Sequence, residues 1–394
     1  ENCRLLGLFR VWNVMEYYNP YLDILDEDWE ELLPDFIVRM LQDTDRHSYD
    51  LTIAALTAKL QDAHVIYNER SEFIQKEFGE YIVNDIEFVS AEGEVVIVQT
   101  FDESCPLQAG DIVRKLDGVD IKDVIQHCTE YYSVPMDGKI CNALRYPLFR
   151  SHDTTLEVTV LRDGEEKTID VPAGEFPSSF IPRYGASYQE GEKKPYEIIE
   201  GNIGVINPDF MDLQSGAIHG NDAKWIEAMN ALRDTDGLIV DYRQYPANSW
   251  RCLPPYLFEE PEVGLLGVSI SEAVPGTFVK EPVYNFFNKP RAVYPYEKEV
   301  VVLIDEHSQS APEYAAMLVR NAENVTLMGE NTLGSDGHCL IVPIPGGNMV
   351  LYTAYGIYTP EGGQTQRIGI PPDIEVKKTI EGIKEGRDEL MEAA

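Results

Sequence analysis

The segment "LIDEHSQSAPEYAAMLVRN", residues 303–321, passes from an apolar, strand-like run into a helical pattern, with Ser308 and Ser310 at the join. A serine hydroxyl is a weak nucleophile at neutral pH and attacks a carbonyl only when a base removes its proton. A turn between a buried strand and a helix suits that chemistry. The first N–H groups of the helix and the positive end of its dipole can hold the oxyanion that forms, with the Ala311 N–H as the natural donor. The same residues also read as a helix start, because Ser310 and Glu313 form an S-x-x-E capping box and Pro312 fits the first turn. Cap and nucleophile are compatible roles for one serine.

The base must come from elsewhere in the chain. No lysine lies between Lys298 and Lys377, which removes a local Ser-Lys arrangement. Of the seven histidines, His64 in "LQDAHVIYNE" follows an amphipathic helix with Asp62 beside it, and His338 lies in the "GSDGHC" loop. Spacing alone leaves the two undecided. Cys339 beside His338 offers a thiol alternative, but consecutive residues of a strand point to opposite faces and make a poor dyad. The six cysteines include no C-x-x-C pair, which argues against a zinc cluster and a disulfide-dense scaffold. Spacing does not decide whether Cys128 and Cys141 pair.

The elements that must position these groups fall into three blocks. Residues 1–78 read as helical: "DWEELLPDFIVRML" carries the Asp28/Glu31 capping pattern, and "SYDLTIAALTAKLQDAH" is expected to form a second helix ending near His64. Residues 79–172 turn strand-like, with "EVVIVQT" at 94–100 and a hairpin signal at Asp163-Gly164 within "TLEVTVLRDGEEKTIDV". "GEFPSSFIPRYGASYQEGEKKPY" then reads as a linker or covering loop. In the third block, residues 173–394, apolar strands alternate with amphipathic helices beyond residue 200, as in a mainly parallel sheet buried on both faces. Such sheets place their crevices at the carboxyl ends of the strands, where Ser308 and Ser310 fall.

Bulk charge narrows the partners. With 68 acidic against 32 basic residues the formal charge is −36, and no Lys/Arg run is present to neutralise phosphates, so nucleic acid is not an expected ligand. The longest apolar stretch, "LLGLFRVWNVMEYY", is broken by Arg10, Asn13 and Glu16 and reads as a buried helix, not a membrane span.

The chain resembles the tail-specific (C-terminal processing) serine peptidases, and more closely their tricorn-core-like branch, over almost its whole length. "LTAKLQDAHV" is similar to that branch's L-x-D-x-H segment, and "CPLQAGDIVRKLDGVDI" to the PDZ segment the family inserts. "GLIVDYRQYP", "DEHSQSAPEYAAMLV", "MGENTLGSDG" and "IGIPPDIEV" follow in the family's order. The resemblance implies a ClpP/crotonase-like α/β protease core with an N-terminal helical segment and an inserted β-rich PDZ-like domain. It implies that Ser310, two positions before Pro312-Glu313, is the nucleophile. Where the lysine-using branch carries its base this chain has Ser335, so the resemblance passes the role of base to His64. Two positions depart from the branch: Ala63 stands where a serine helps orient the histidine, and Gln366 where a glutamate does. An amide can fix a histidine tautomer but brings no charge to the imidazolium. Asp62 is a candidate for the missing carboxylate. The second oxyanion donor implied beside Ala311 is the N–H of Ala247, in the turn shaped by Tyr245 and Pro246.

The expectation is therefore a serine endopeptidase acting on peptides or unfolded segments through an acyl-enzyme, without metal or organic cofactor. The PDZ-like block would capture peptide as an added strand near "EYIVNDIEF", or act as a lid. The alternative is a degenerate relative that binds peptides or hydrophobic ligands without cleaving them. By the same resemblance the protein is expected to be exported, with its leader upstream of Glu1.

Overall fold

Two kinds of strand run through the second half of the chain, and they build two different sheets. The computed structural model describes residues 2–67, 72–84, 86–135, 143–175, 194–208, 223–246, 249–287 and 294–394. Gly237–Asp241 is buried at all five positions and Val300–Ile304 at all but one, the pattern of strands covered on both faces. They lie at the centre of a six-stranded sheet ordered Tyr196–Ile199, Ile203–Ile206, Gly237–Asp241, Val300–Ile304, Val325–Gly329, Ile374–Glu375. Only the first pair is antiparallel. The helices Ala223–Ala231 and Ala311–Val319 contribute Trp225, Met229 and Leu318 to one core with Val240, Val302 and Ile304. Val205, Ile239, Leu303 and Met328 are buried on the other face against Leu390. Each such side chain contributes about 1.5–3 kcal/mol when fully buried.

The second sheet was not anticipated. Val263–Ile270, Phe278–Tyr284 and the hairpin His338–Ile344/Asn348–Tyr358 are joined antiparallel, and the short strand Ile66–Tyr67 adds to the last of them. Ile66 pairs with Leu351 and Tyr67 with Val350. That pairing brings the end of the N-terminal block onto the hairpin. The first helices, Asn2–Tyr18 and Arg46–Ala58, are tied to it as well: Arg10 donates to the Pro343 carbonyl at 2.9 Å and Arg46 to that of Gly346 at 2.8 Å.

The helix expected to reach His64 stops at Ala58. Gln61 takes φ 50°, and the Asp62 carboxylate accepts from the His64 N–H at 2.9 Å. A short side chain that bonds the backbone two residues ahead competes with helix propagation. His64 thus sits on a tight turn between the helix and the Ile66–Tyr67 strand.

Residues 86–172 hold a six-stranded antiparallel sheet ordered Ile86–Ala91, Glu94–Thr100, Ile112–Leu116, Thr155–Arg162, Glu165–Pro172, with the short strand Val119–Asp120 paired to Ile112–Leu116 and the helix Ile121–Thr129 beside it. The hairpin turn at Asp163-Gly164 takes positive φ at both residues, 54° and 81°, as a two-residue turn of that twist requires. This sheet meets the parallel-sheet region through Ser90, whose N–H donates to Glu306 at 3.1 Å, and through the Lys384–Asp163 ion pair at 2.7 Å. Most of the expected linker, like Cys141, lies outside the described residues. No helix among the described residues is long and apolar enough to cross a membrane.

Candidate active site

The two serines at the strand–helix join have different fates. Ser308 is fully buried, accepts from the Asp305 N–H at 3.0 Å and donates to the Tyr242 carbonyl at 3.0 Å. Its hydroxyl is consumed in holding the turn. Ser310 is partly exposed at the start of the helix Ala311–Val319 and takes φ 66°, ψ −115°, a conformation that costs a residue with a Cβ roughly 1–3 kcal/mol.

Glu313 is what holds that conformation. It completes the capping box expected from sequence, its Oε2 accepting from the Ser310 N–H at 3.1 Å. The same buried carboxylate accepts from the Thr332 hydroxyl at 2.6 Å, the Gly334 N–H at 2.9 Å and the Ser335 N–H at 3.0 Å. Burial pushes the Glu313 pKa up, and these four donors act against that. The Thr332–Ser335 loop is thereby clamped to the helix start, and the Ser335 carbonyl accepts a second bond from the Ser310 N–H at 3.0 Å.

Ser310 and His64 line one cleft of about 510 Å³, with Gln309, Tyr245, His338 and Cys339 among its walls. No hydrogen bond links the two side chains directly, a separation that in unliganded sites commonly closes when substrate is bound. His64 is 9% exposed. Burial lowers its pKa, Asp62 works in the opposite direction, and His338 lowers it further. The net effect is a neutral imidazole at neutral pH, the form that can accept a proton.

Asp62 anchors the turn that carries His64. Its N–H donates to Ser133 Oγ at 2.7 Å, and its carboxylate accepts from the hydroxyls of Ser335 and Thr353 as well as from the His64 N–H. Asp62 Oδ1 lies 3.9 Å from His64 Nδ1, whereas Thr353 Oγ1 lies 3.3 Å from it. Ser335 therefore bonds to Asp62 through its hydroxyl and to Ser310 through its carbonyl.

Gln366, expected to orient His64, makes no bond to that imidazole in the structure. Its Oε1 accepts from the Asp336 N–H at 3.3 Å, and its Nε2 is buried without a hydrogen-bond partner. The turn that carries it is tied to the Gly334 loop, Arg367 N–H donating to the Gly334 carbonyl at 2.8 Å, so the amide serves that loop and makes no bond to the imidazole. Ala311 is the first residue of its helix, where an N–H has no intrahelical acceptor. Ala247 lies outside the described residues.

The thiol alternative fares worse. Burial pushes the Cys339 thiol up to about 12, which keeps it protonated and unreactive. On His307 burial opposes the charged form, but Asp305, 3.4 Å from Nδ1, more than offsets it and raises the pKa. That imidazole is held in an ion-pair network with Asp305 and Lys378. Thr353 and the clamping role of Glu313 were not read from sequence.

Residues 220–376 match the model of Peptidase family S41. A carboxy-terminal-processing protease of Bartonella bacilliformis is 23% identical over 329 residues, which are 79% of this chain and 64% of that relative. Among solved structures, mature CPAF complexed with lactacystin superposes with a TM-score of 0.71 at 14% identity, covering 98% of this chain and 95% of that one. The photosystem II D1 C-terminal processing protease gives 0.53 at 15% identity, with 99% of each chain covered. These likenesses show a shared mixed α/β protease fold. With that fold, the segment that carries Ser310, within residues 220–376, is similar to peptidase family S41.

Proposed function

We propose that the protein is a serine endopeptidase acting on peptides or unfolded protein segments, with Ser310 as nucleophile and His64 as general base. The observation that carries this reading is the pairing of a strained, partly exposed serine at a helix N-terminus with a buried neutral histidine on the same cleft. His64 Nε2 takes the Ser310 proton as Oγ attacks the peptide carbonyl. The N–H of Ala311 stabilises the oxyanion, with that of Ala247 as the second donor. The imidazolium gives its proton to the leaving amine, and an acyl-enzyme remains. Water, deprotonated by the same imidazole, then releases the acid product. The chain's own groups suffice for each of these steps, so no metal or organic cofactor is assigned to it.

In this reading residues 1–78 are a helical segment, 79–172 a PDZ-like domain inserted between base and nucleophile, and 173–394 a ClpP/crotonase-like peptidase core. The edge strand Ile86–Ala91 is the place where an extended peptide would add to the PDZ-like sheet. The substrate is then presented outside the cytoplasm, a placement resting on the resemblance to exported peptidases and checked by fractionation.

A fluorophosphonate probe tests the chemistry without knowledge of the substrate. Labelling of the wild type, its loss in Ser310→Ala and its strong reduction in His64→Ala are expected. A second reading, a binder that has lost cleavage, draws on Ala63 and on the absence of a bond from Gln366 to His64. It predicts a wild-type protein that the probe leaves untouched.

A further inference from the structure

We propose that Thr353 is a positioning residue that couples His64 to Asp62, so that a hydroxyl-bridged aspartate does for this base what a directly bonded acidic side chain would otherwise do. The inference rests on the peptidase reading and concerns how its base is held.

The strand register puts Thr353 there. Ile66 pairs with Leu351 and Tyr67 with Val350 in antiparallel sense. Carried two residues further, the same register sets His64 opposite Thr353. On its other side Thr353 pairs with Cys339 of the neighbouring strand. Thr353 and Asp62 are both buried, and bulk water is not at hand to replace either partner.

Proton counting fixes the direction of the bonds. A threonine hydroxyl has one proton and two lone pairs, and an ionised aspartate only accepts. Thr353 Oγ1 lies 2.6 Å from Asp62 Oδ2, so its proton goes there. The hydroxyl then offers a lone pair to His64 Nδ1 at 3.3 Å, and that nitrogen must carry the hydrogen. Cys339 also lies within hydrogen-bonding reach of Thr353, but a neutral sulfur is a weak acceptor beside a carboxylate oxygen at 2.6 Å, so the hydroxyl proton stays on the Asp62 side. The imidazole is therefore the Nδ1–H tautomer, with the Nε2 lone pair free for Ser310. The separation of 3.9 Å between Nδ1 and Asp62 Oδ1 is too long for a hydrogen bond, so the aspartate acts on the imidazolium through the hydroxyl and through space.

Two further donors and one acceptor hold Asp62 with its second oxygen aimed at this hydroxyl. The His64 N–H and the Ser335 hydroxyl fill Oδ1, and Ser133 accepts the Asp62 N–H, closing the turn. The bridge gives His64 Nδ1 a partner, with the Asp62 carboxylate behind it.

The test compares wild type, Thr353→Val and Thr353→Ser in the full chain, reading the rate of fluorophosphonate labelling of Ser310 against pH. Valine keeps the shape and removes the bridge. We expect labelling at neutral pH to fall about ten- to a hundredfold, with the acid-side midpoint moved to lower pH, and serine to restore most of the rate. A valine variant that labels at the wild-type rate with the wild-type midpoint overturns the proposal, as does a folded serine variant as slow as valine. Imidazole nitrogen NMR of the wild type gives an answer independent of the variants' folding. His64, assigned by its loss in His64→Gln, should show hydrogen on Nδ1, and hydrogen on Nε2 overturns the assignment. If the wild type is not labelled at all, the peptidase reading fails, while the NMR result still decides the role of Thr353.

Discussion

Ser310 and Ser335 are joined through their backbones, the Ser310 N–H donating to the Ser335 carbonyl at 3.0 Å. The Ser335 hydroxyl meanwhile donates to Asp62, the anchor of His64. Ser310 and His64 are 246 positions apart in the chain, yet one residue touches the supports of both. Ser335 is thus a structural clasp between the turn that carries His64 and the helix start that carries Ser310.

The two serines of the opening segment should separate fold from chemistry. Ser308→Ala removes two buried hydrogen bonds and is expected to cost roughly 1–3 kcal/mol in denaturant unfolding while leaving Ser310 labelling intact. Ser310→Gly should abolish labelling and raise stability by roughly 1 kcal/mol, because glycine adopts φ 66° without strain. A destabilised Ser310→Gly would show that the local packing, not the backbone, sets that φ.

Glu313→Ala should be among the most damaging changes near the cleft. It strands four donors, the N–H groups of Ser310, Gly334 and Ser335 and the hydroxyl of Thr332. A loss of roughly 3 kcal/mol or more is expected, with labelling lost even under conditions where the protein remains folded. Glu313→Gln should rescue only in part, since an amide NH2 then faces N–H donors. Equal stability of Glu313→Ala and wild type would refute the clamp.

The pH dependence of labelling should follow His64. Its pKa lies below the ordinary histidine value, with burial as the main cause. The rate should therefore rise as pH increases through a midpoint below about 6.5 and be level at neutral pH. A midpoint well above that value would point to another base.

Glu87 offers a stability test at the contact between the inserted sheet and the peptidase core. Burial pushes its carboxyl up to about 7, against the opposing pull of His307, its bond from Gln99, and Lys378. In the unfolded chain it titrates near 4.5. Because the folded pKa is the higher, the stabilising contribution is complete below 4.5 and is lost as pH rises towards 7. The stability difference between wild type and Glu87→Gln, measured by denaturant unfolding across that window, should change by roughly 3 kcal/mol. A difference that stays constant with pH would sink the assignment.

Local pattern made much of this molecule legible. The Ser310/Glu313 capping box, the Asp163-Gly164 turn and the buried parallel strands each depend on residues within a few positions, where cap chemistry, backbone φ and apolar runs act directly. The antiparallel sheet of Val263–Ile270, Phe278–Tyr284 and the His338–Tyr358 hairpin escaped notice, because its strands pair across long stretches of chain and their polar faces blur the apolar pattern.

The same division runs through the site. Sequence by itself determined that a serine stands before a helix with no lysine near it, and that His64 has a carboxylate two residues away. Only the tertiary structure decided that Ser308 is consumed, that Gln366 serves a different loop, and that Thr353 stands between His64 and Asp62. The reason is physical: a hydrogen bond is settled within about 3 Å, and which side chains come that close follows from the register of strands nearly 300 residues apart in the chain.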